Sequence, residues 1–506
     1  MPCWLSFLQC LISGNPLELK ALFQKIKFLS NEGAVFIAGG PIRDWLMGRS
    51  TNDIDLVVPK GAIAMARAFS SETGGAFVLL DEDEDVARVV LDGFSFDFSG
   101  FRKGALEIEQ DLSHRDFTMN AMAVPLEEIA PKVAVVPPGL VVPKDVLTKY
   151  LIDPFDGQGD IERRIIKAVS LSNLQEDPLR MLRAFRFKAI LDFSIHQRVL
   201  DLVKGKALLL KSCAAERINY ELERIMATDQ AGRVFKGLFE VGLLEVIIPE
   251  IRGLEGVEQP GFHHLDVLGH CLETISTMDI LVGDPCSKFS SCAPIKQWLK
   301  ANEHLIPYLK WAAFLHDFGK PSKKGMREDG RVTFYNHDKK GADMAVEISR
   351  RLRWSRTATL FVQTLVRMHM RPFHLLNDLR KGGPTKRAMR KLLEKIESAY
   401  PALFLLAMAD SMAGCGPMKP KELDGQLSEL FDRIQDFYLK RLVPASKAPP
   451  LVNGRDIMAL FSIGPGPLVG EALRAVEAQR IEGVLKTRDE AIAWLKEHFP
   501  DELSVS

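Results

Sequence analysis

Strand-like sequence is confined to one end of this chain. Between residues 35 and 125, β-branched and alternating runs recur as "AVFIAGG", "DIDLVV", "AFVLLD", "VARVVLDG" and "FSFDFSG", the pattern of strands with one covered face. "PIRDWLMG" and "GAIAMARAFSSETG" lie among them and read as helices that end at glycine. From residue 158 the strand pattern nearly vanishes, and runs such as "DPLRMLRAFRFKAILDF" and "AAERINYELERIMAT" carry helical spacing. The expected fold is therefore α+β, a small mixed-sheet head followed by all-helical segments. The Pro- and Val-rich "PKVAVVPPGLVVPKD" (131–145) predicts an extended excursion, and another helix-rich stretch follows "VPASKAPPLVNGRD" (443–456).

With 506 residues, three or four domains are expected. Lys+Arg and Asp+Glu both total 66, a balance that argues against wholesale coating of nucleic acid while leaving room for a local basic groove. Seven cysteines without a CxxC pair suit a reducing cytoplasm better than a disulfide framework. Cys286 and Cys292, in the polar loop 282–294, have poor zinc spacing and predict a plain surface loop. No apolar run reaches the roughly 18 residues of a membrane helix. The opening "MPCWLSFLQCLISG" lacks a positive start and is broken by Ser6 and Gln9, so it predicts a helix packed on the first domain rather than a cleaved signal. The expectation is a soluble, cytoplasmic protein.

The chemistry is concentrated in "FIAGGPIRDWLMGRSTNDIDLVV" (36–58). Asp53 and Asp55 alternate on a strand, so both carboxylates project from one face. Two carboxylates side by side repel unless a cation lies between them. Mg²⁺ suits such a site, because it takes oxygen ligands and shares them with phosphates. Gly39 and Gly40 before a helix offer backbone that a phosphate can approach. Asp97 in "FSFDFSG" alternates similarly on a later strand and is a third candidate, its alternative being a solvated strand aspartate.

"GGPIRDWLMGRSTNDIDLVV" resembles the start of the polymerase-β-type nucleotidyltransferases, more narrowly the bacterial tRNA nucleotidyltransferase (CCA-adding enzyme) and poly(A) polymerase family. Further motifs follow in that family's order: "HRDFTMNAMA" (114–123), "DPFDGQGDIERRIIKAV" (153–169), "EDPLRMLRAFRFKA" (176–189) and "ERINYELERIM" (216–226). The resemblance covers residues 33 to 490. It implies that Asp53, Asp55 and Asp97 are catalytic, the first two holding Mg²⁺. It also implies that Gly39, Gly40, Arg43, Arg115, Asp116, Asn120, Asp177, Arg180 and Arg183 bind nucleotide. Arg115 and Asp116 would read the ribose, although His114 stands where the family has arginine. Read alone, Arg115 and Asp116 would be a cap or a surface ion pair.

Asp177 and Arg180 lie three apart on one helix face, where acceptor and donors together suit a nucleobase edge. The resemblance makes them the amino-acid template for CTP and ATP; the structural alternative for Asp177 is helix capping. Glu216 and Arg217 are expected to brace that helix, and basic runs such as "RRIIK" to line a groove for the acceptor arm of tRNA.

His270, His316-Asp317, His337, His369 and Asp410 follow in the order H…HD…H…H…D. Mixed imidazole and carboxylate donors suit a transition metal such as Ni²⁺ or Mn²⁺. The series resembles the HD-type phosphohydrolase domain; His263 and His264 fall outside its core pattern. The resulting layout is a head at 1–157, a base- and RNA-recognising neck at 158–255, an HD body at 256–420 and a tail at 421–506. The expected function is addition of CMP and AMP to the tRNA 3′ end. The same motifs would also serve a poly(A) polymerase or an enzyme adding only CC or only A. A different class of reading is an HD phosphohydrolase with an RNA-binding head.

Overall fold

The computed structural model describes residues 34–499 apart from 138, 260, 380 and 381, together with Leu22, Phe23, Lys25, Ile26 and Leu29. The helix expected over residues 1–14 lies outside the described residues. The chain divides into two compact units. One comprises Met1–Arg217 with Glu240–Ile247, and the other Ile218–Phe239 with Ile248–Ser506.

The first unit is built on a six-stranded mixed sheet. Its strands are β1 (Phe36–Ala38), β2 (Asp53–Val58), β3 (Ala76–Asp81), β4 (Val86–Leu91), β5 (Phe94–Gly100) and β6 (Ala123–Pro125), in the order β3-β4-β5-β2-β1-β6. Only β2 and β5 pair in parallel within it. Helices α1 (Gly40–Leu46) and α2 (Ala62–Thr73) fall between strands as their glycine boundaries predict. Alternation does the sorting on β2: Ile54 and Leu56 are fully buried, while Asp53 is exposed and Asp55 only partly covered. On β5, Phe96 and Phe98 pack against Phe69 of α2 at ring distances of 5.3 and 5.6 Å. The excursion at 131–145 is a short hairpin, Ala134–Val136 with Gly139–Val141, tied to the strand approach by a Thr51–Leu140 bridge. Past 158 this unit is helical except for one two-residue parallel pair, Ile165–Ile166 with Ser194–Ile195. Helix α3 (Leu179–Leu191) is buried on most sides, Leu182, Phe185 and Phe187 included.

The second unit is helical around a different core. Helices α4 (Val267–Gly283), α5 (Ile306–Leu315), α6 (His337–Arg351), α7 (Arg356–Met368) and α8 (Tyr400–Ala413) carry its centre. Phe235, Trp311 and Phe314 pack edge to face at 5.4 and 5.5 Å. Helices α4, α5 and α8 are apolar on most sides because they are enclosed on most sides. The C-terminal helices form their own cluster around Ile457, Ala472, Val476 and Leu495, with capping boxes at Asn453/Asp456 and Thr487/Glu490.

The cysteine expectation is corrected at one place. Cys286 and Cys292 are joined by a disulfide, so 282–294 is a clipped loop rather than a plain one. Phe289 inside the clip is buried against Phe431, and Ser290 N–H donates to Ser428 Oγ at 3.0 Å. These contacts anchor the clipped loop on the helix that carries Ser428 and Phe431, and nothing in the spacing alone reports them. Among the described residues no helix is long and apolar enough to cross a membrane.

Candidate functional site

In the sheet unit, Asp53 and Asp55 share the face that the strand period predicts. Burial pushes Asp55 up to about 6, Arg115 pulls it back, and the neighbouring charge of Asp97 adds to the rise. An acid so placed carries its charge at a cost that a bound cation relieves, which suits a metal-binding pair. Gly39 sits directly against it with φ at +80°. A Cβ there would lie 2.7 Å from Arg115 Nη1 and 3.2 Å from Asp55 Oδ2, so both backbone conformation and space demand glycine. The amide of Gly39 donates to Met122 O at 3.0 Å. Gly39 therefore gives room for close approach, while its own amide is already taken. Asp97 lies opposite Asp55 in the β2–β5 register, and both its oxygens accept from Arg88, at 2.6 and 2.7 Å.

Beside this pair runs a chain of polar contacts. Arg43 Nη1 donates to Asn120 Oδ1 at 2.8 Å, Asn120 Nδ2 to Asp116 Oδ1 at 3.1 Å, and Arg183 Nε to Asp116 Oδ2 at 2.8 Å. Burial works against the Asp116 charge, yet Arg183 and Asn120 hold its pKa well below the usual carboxylate range. Arg115 is buried, held at 3.3 Å from Asp111 Oδ2, and lowered by burial to about 10. The structure thus brings Arg43, Asp116, Asn120 and Arg183 into one hydrogen-bonded network, and Arg115, beside Gly39 and Asp55, joins it through the Asn120 carbonyl at 3.4 Å.

Asp177 precedes Pro178, the N-cap residue of α3, and no side chain caps that helix. Its carboxylate faces Arg180 at 3.6 Å and Arg217 at 3.3 Å instead. The capping alternative for Asp177 is set aside by that geometry. Arg180 Nη1 also donates to the carbonyl of His114 at 2.9 Å. The residue that departs from the family pattern thus fixes Arg180 through its backbone.

In the helical unit, all six H…HD…H…H…D residues converge. His270 Nε2 lies 3.0 Å from Asp410 Oδ1, His316 Nε2 3.2 Å from Asp317 Oδ2, and His337 Nε2 3.3 Å from Asp317 Oδ1. His270, His316 and His369 are fully buried. Three of the rings are set the same way, with Nδ1 of His316, His337 and His369 bonded to the carbonyl three residues earlier, at 2.8, 2.7 and 2.6 Å. A carbonyl can only accept, so each Nδ1 carries a proton and each Nε2 faces the cluster, offering a lone pair wherever the ring is neutral. There the lone pairs meet carboxylate oxygens and one another, His337 Nε2 and His369 Nε2 being 3.2 Å apart. The buried Lys320 ammonium already lies 2.5 Å from Asp317 Oδ2, while Asp410 and the inward-facing ring nitrogens still favour a further cation. Burial opposes charge on His316, but Asp317 and Asp410 raise it to about 10, while burial pushes His369 down to about 3. The donor set fits a divalent metal, which satisfies the two carboxylates while every imidazole stays neutral.

His263 joins this cluster, its ring 4.3 Å from that of His270, and burial pushes it down to about 3. Spacing in the sequence left it outside the pattern; only the loop that carries it brings it in. A cavity of about 720 Å³ opens on the cluster, lined by His263, Asp317, His337 and Asp410 and by Arg327, Arg331, Phe334 and Tyr335.

Four family models match the chain: poly A polymerase head domain over 35–167, RNA- and SrmB-binding site of polymerase A over 192–254, HD domain over 289–411, and tRNA nucleotidyltransferase domain 2 over 422–495. The A-adding tRNA nucleotidyltransferase of Deinococcus radiodurans is 32% identical, over 91% of this chain and 94% of its own length. The chain belongs to the tRNA nucleotidyltransferase family. The CC-adding tRNA nucleotidyltransferase of Geobacter sulfurreducens is 30% identical over 96% of both chains. Among solved structures, a CCA-adding enzyme in an apo form superposes with a TM-score of 0.63 at 18% identity over 98% of both chains. The Thermotoga maritima CCA-adding enzyme complexed with tRNA does so at 0.57 and 19% identity over 95% of both chains. These neighbours share the nucleotidyltransferase fold, a mixed-sheet head followed by helices. The head and HD domains of this tRNA nucleotidyltransferase both imply dependence on divalent metal.

Proposed function

We propose that this protein adds nucleotides to the 3′ end of tRNA without a nucleic-acid template, taking CMP and AMP from CTP and ATP. The observation that carries the reading is the carboxylate pair Asp53 and Asp55 on one strand face, Asp55 close against Gly39, in the same unit as the Asp177–Arg180 edge. Asp53 and Asp55 would hold Mg²⁺, with Asp97 beside them. Bound there, Mg²⁺ supplies Lewis acidity toward the attacking hydroxyl and the triphosphate. The RNA 3′ hydroxyl attacks the α-phosphorus and pyrophosphate leaves. Gly39 and Gly40 leave space for phosphate, with Arg43, Arg115 and Arg183 as cations near it, and Asp116 and Asn120 toward the ribose. Asp177 accepts from a base edge and Arg180 donates to it, which rewards C and A and leaves mismatched edges unpaired. The acceptor arm of tRNA is the RNA partner. We divide the chain at 157, 255 and 420 into head, neck, HD body and tail.

Two relatives that align nearly end to end are named for A addition and for CC addition, which favours a second reading in which this enzyme adds only one part of the CCA end. Labelled CTP and ATP, supplied separately and together to tRNAs lacking CCA or lacking only the final A, test both. Incorporation of both nucleotides supports the first reading, incorporation of one supports the second, and incorporation of neither overturns both.

The six-residue cluster of the second unit supports a further activity, metal-dependent hydrolysis of phosphomonoesters or cyclic phosphodiesters, with Ni²⁺ or Mn²⁺ held by His270, His316, Asp317, His337, His369 and Asp410. Hydrolysis of 2′,3′-cyclic nucleotides and aryl phosphates, assayed with each metal, tests it.

A further inference from the structure

Two adjacent histidines, His263 and His264, precede α4, and the fold treats them in opposite ways. Their segment is stitched to the loop that follows α8: Gly416 N–H donates to Phe262 O at 2.8 Å and Met418 N–H to Gly261 O at 3.0 Å. Glycine makes this approach feasible. A Cβ on Gly416 would lie 2.3 Å from Gly261 O and 2.5 Å from His263 N, and one on Gly414 would lie 3.3 Å from His263 Nδ1. The stitching presses the segment against the end of the helix that carries Asp410.

His264 Nδ1 accepts from the backbone N–H of Cys415 at 3.2 Å. His263 has no such partner: its Nδ1 is buried without a hydrogen bond. Its ring instead stands edge to face with His270, and its donor atom lies within 4.8 Å of those of both His270 and Asp410. A buried imidazole nitrogen left unpaired costs free energy that a coordinated cation removes.

We propose that His263 is a metal ligand of the buried cluster, completing with His270 and Asp410 a set of two imidazoles and one carboxylate. That set shares no residue with the group Asp317, His337 and His369, and a third group, His270, His316 and Asp317, overlaps both, so the donors form one continuous run with His263 at one end. Donor sets of this kind select divalent transition metals. His263 also lines the cavity whereas His270 is fully enclosed, so an ion bound by His263 is one that a substrate entering the cavity can reach. This inference rests on reading the buried cluster as a cation site.

The test is binding rather than catalysis. Metal-free full-length protein is titrated with Mn²⁺ or Co²⁺, following metal content per chain and the Co²⁺ absorption spectrum, for wild type, His263→Ala, His263→Gln, His264→Ala and His316→Ala. His263→Ala and His263→Gln are expected to weaken binding by about tenfold or more and to alter the Co²⁺ spectrum, with His264→Ala matching wild type. Their metal-free melting temperatures should stay at the wild-type value while the increase produced by metal shrinks. Loss of metal in His316→Ala with unchanged binding and spectrum in both His263 variants overturns the ligand assignment alone. A wild-type protein that takes up no metal overturns the cation site itself and this proposal with it. A fall in metal-free stability of both His263 variants, with metal affinity unchanged, assigns His263 to packing and also overturns the proposal.

Discussion

The two clusters of this molecule solve the same electrostatic problem with opposite materials. In the sheet unit, carboxylates stand on a strand at the surface, Asp53 exposed and Asp55 partly covered. In the helical unit, imidazoles and carboxylates are enclosed, and three rings are locked by their own helix carbonyls. Oxygen donors on an open strand leave an ion free to share its remaining positions with a polyanion, which suits Mg²⁺ and a triphosphate. Locked nitrogen donors fix ligand direction before any ion arrives and select a borderline metal. The first site takes most of its remaining ligands from its substrate, while the second supplies most of its donors from the chain and opens to a cavity at His263, Asp317, His337 and Asp410.

The largest effect should come from breaking the open pair. Asp53→Ala or Asp55→Ala is expected to lower nucleotide incorporation by about 10³-fold or more, since the charge stabilisation supplied by a metal is worth several kcal/mol. RNA binding should be nearly unchanged in both, and the fold most clearly so in Asp53→Ala, since Asp53 is exposed. Near-normal Mg²⁺-dependent turnover in either variant would remove the metal assignment. The enclosed site is tested by the converse experiment. His316→Ala combined with Asp317→Ala should abolish metal retention and phosphoester hydrolysis while nucleotide addition continues. Loss of addition in that double variant would show that the two clusters are not independent.

These contrasts were legible in the sequence to different depths. The shared face of Asp53 and Asp55 follows from the strand period, and the five head strands named from the sequence are where the alternation puts them. The convergence of His270, His316, Asp317, His337, His369 and Asp410 was readable as an ordered motif, since each sits on or beside a helix. What escaped depends on contacts between distant segments. That His263 turns inward and His264 does not is decided by Gly414, Cys415 and Gly416, about 150 residues away. The same holds for Arg88 occupying both oxygens of Asp97, for Met122 taking the Gly39 amide, and for the packing that anchors the loop clipped by Cys286 and Cys292. Periodicity reports which face a residue occupies; it does not report what comes to meet that face.

A middle-sized effect is expected at the Asp177–Arg180 edge, which sharpens the comparison by separating selection from chemistry. Arg180→Ala should reduce discrimination among the four nucleoside triphosphates by about 5- to 150-fold, the equivalent of ~1–3 kcal/mol for an unpaired polar edge. RNA affinity should change much less. Competition among equimolar triphosphates on one tRNA measures it directly. Unchanged selectivity would return Arg180 to its contact with the His114 carbonyl, a structural strut.

The smallest effect should fall on Arg217, which touches the same carboxylate from a different helix. Its guanidinium is more than half exposed, Asp177 is about a third exposed, and their contacts are 3.3 and 3.4 Å. Exposed pairs of this kind are worth about 0.2–1 kcal/mol in water. Salt screens them further, because nothing shields them from solvent. Arg217→Ala should therefore change triphosphate discrimination by no more than about fivefold, with the difference shrinking as ionic strength rises. Arg180→Ala should keep most of its effect at high salt, since Arg180 is the less exposed of the two arginines and is also bonded to the His114 carbonyl. Measuring both variants at low and high salt separates a brace from a base-reading group. If the two lose selectivity equally, and equally at both salt concentrations, Arg217 belongs to the reading edge and Asp177 is held from both sides for recognition.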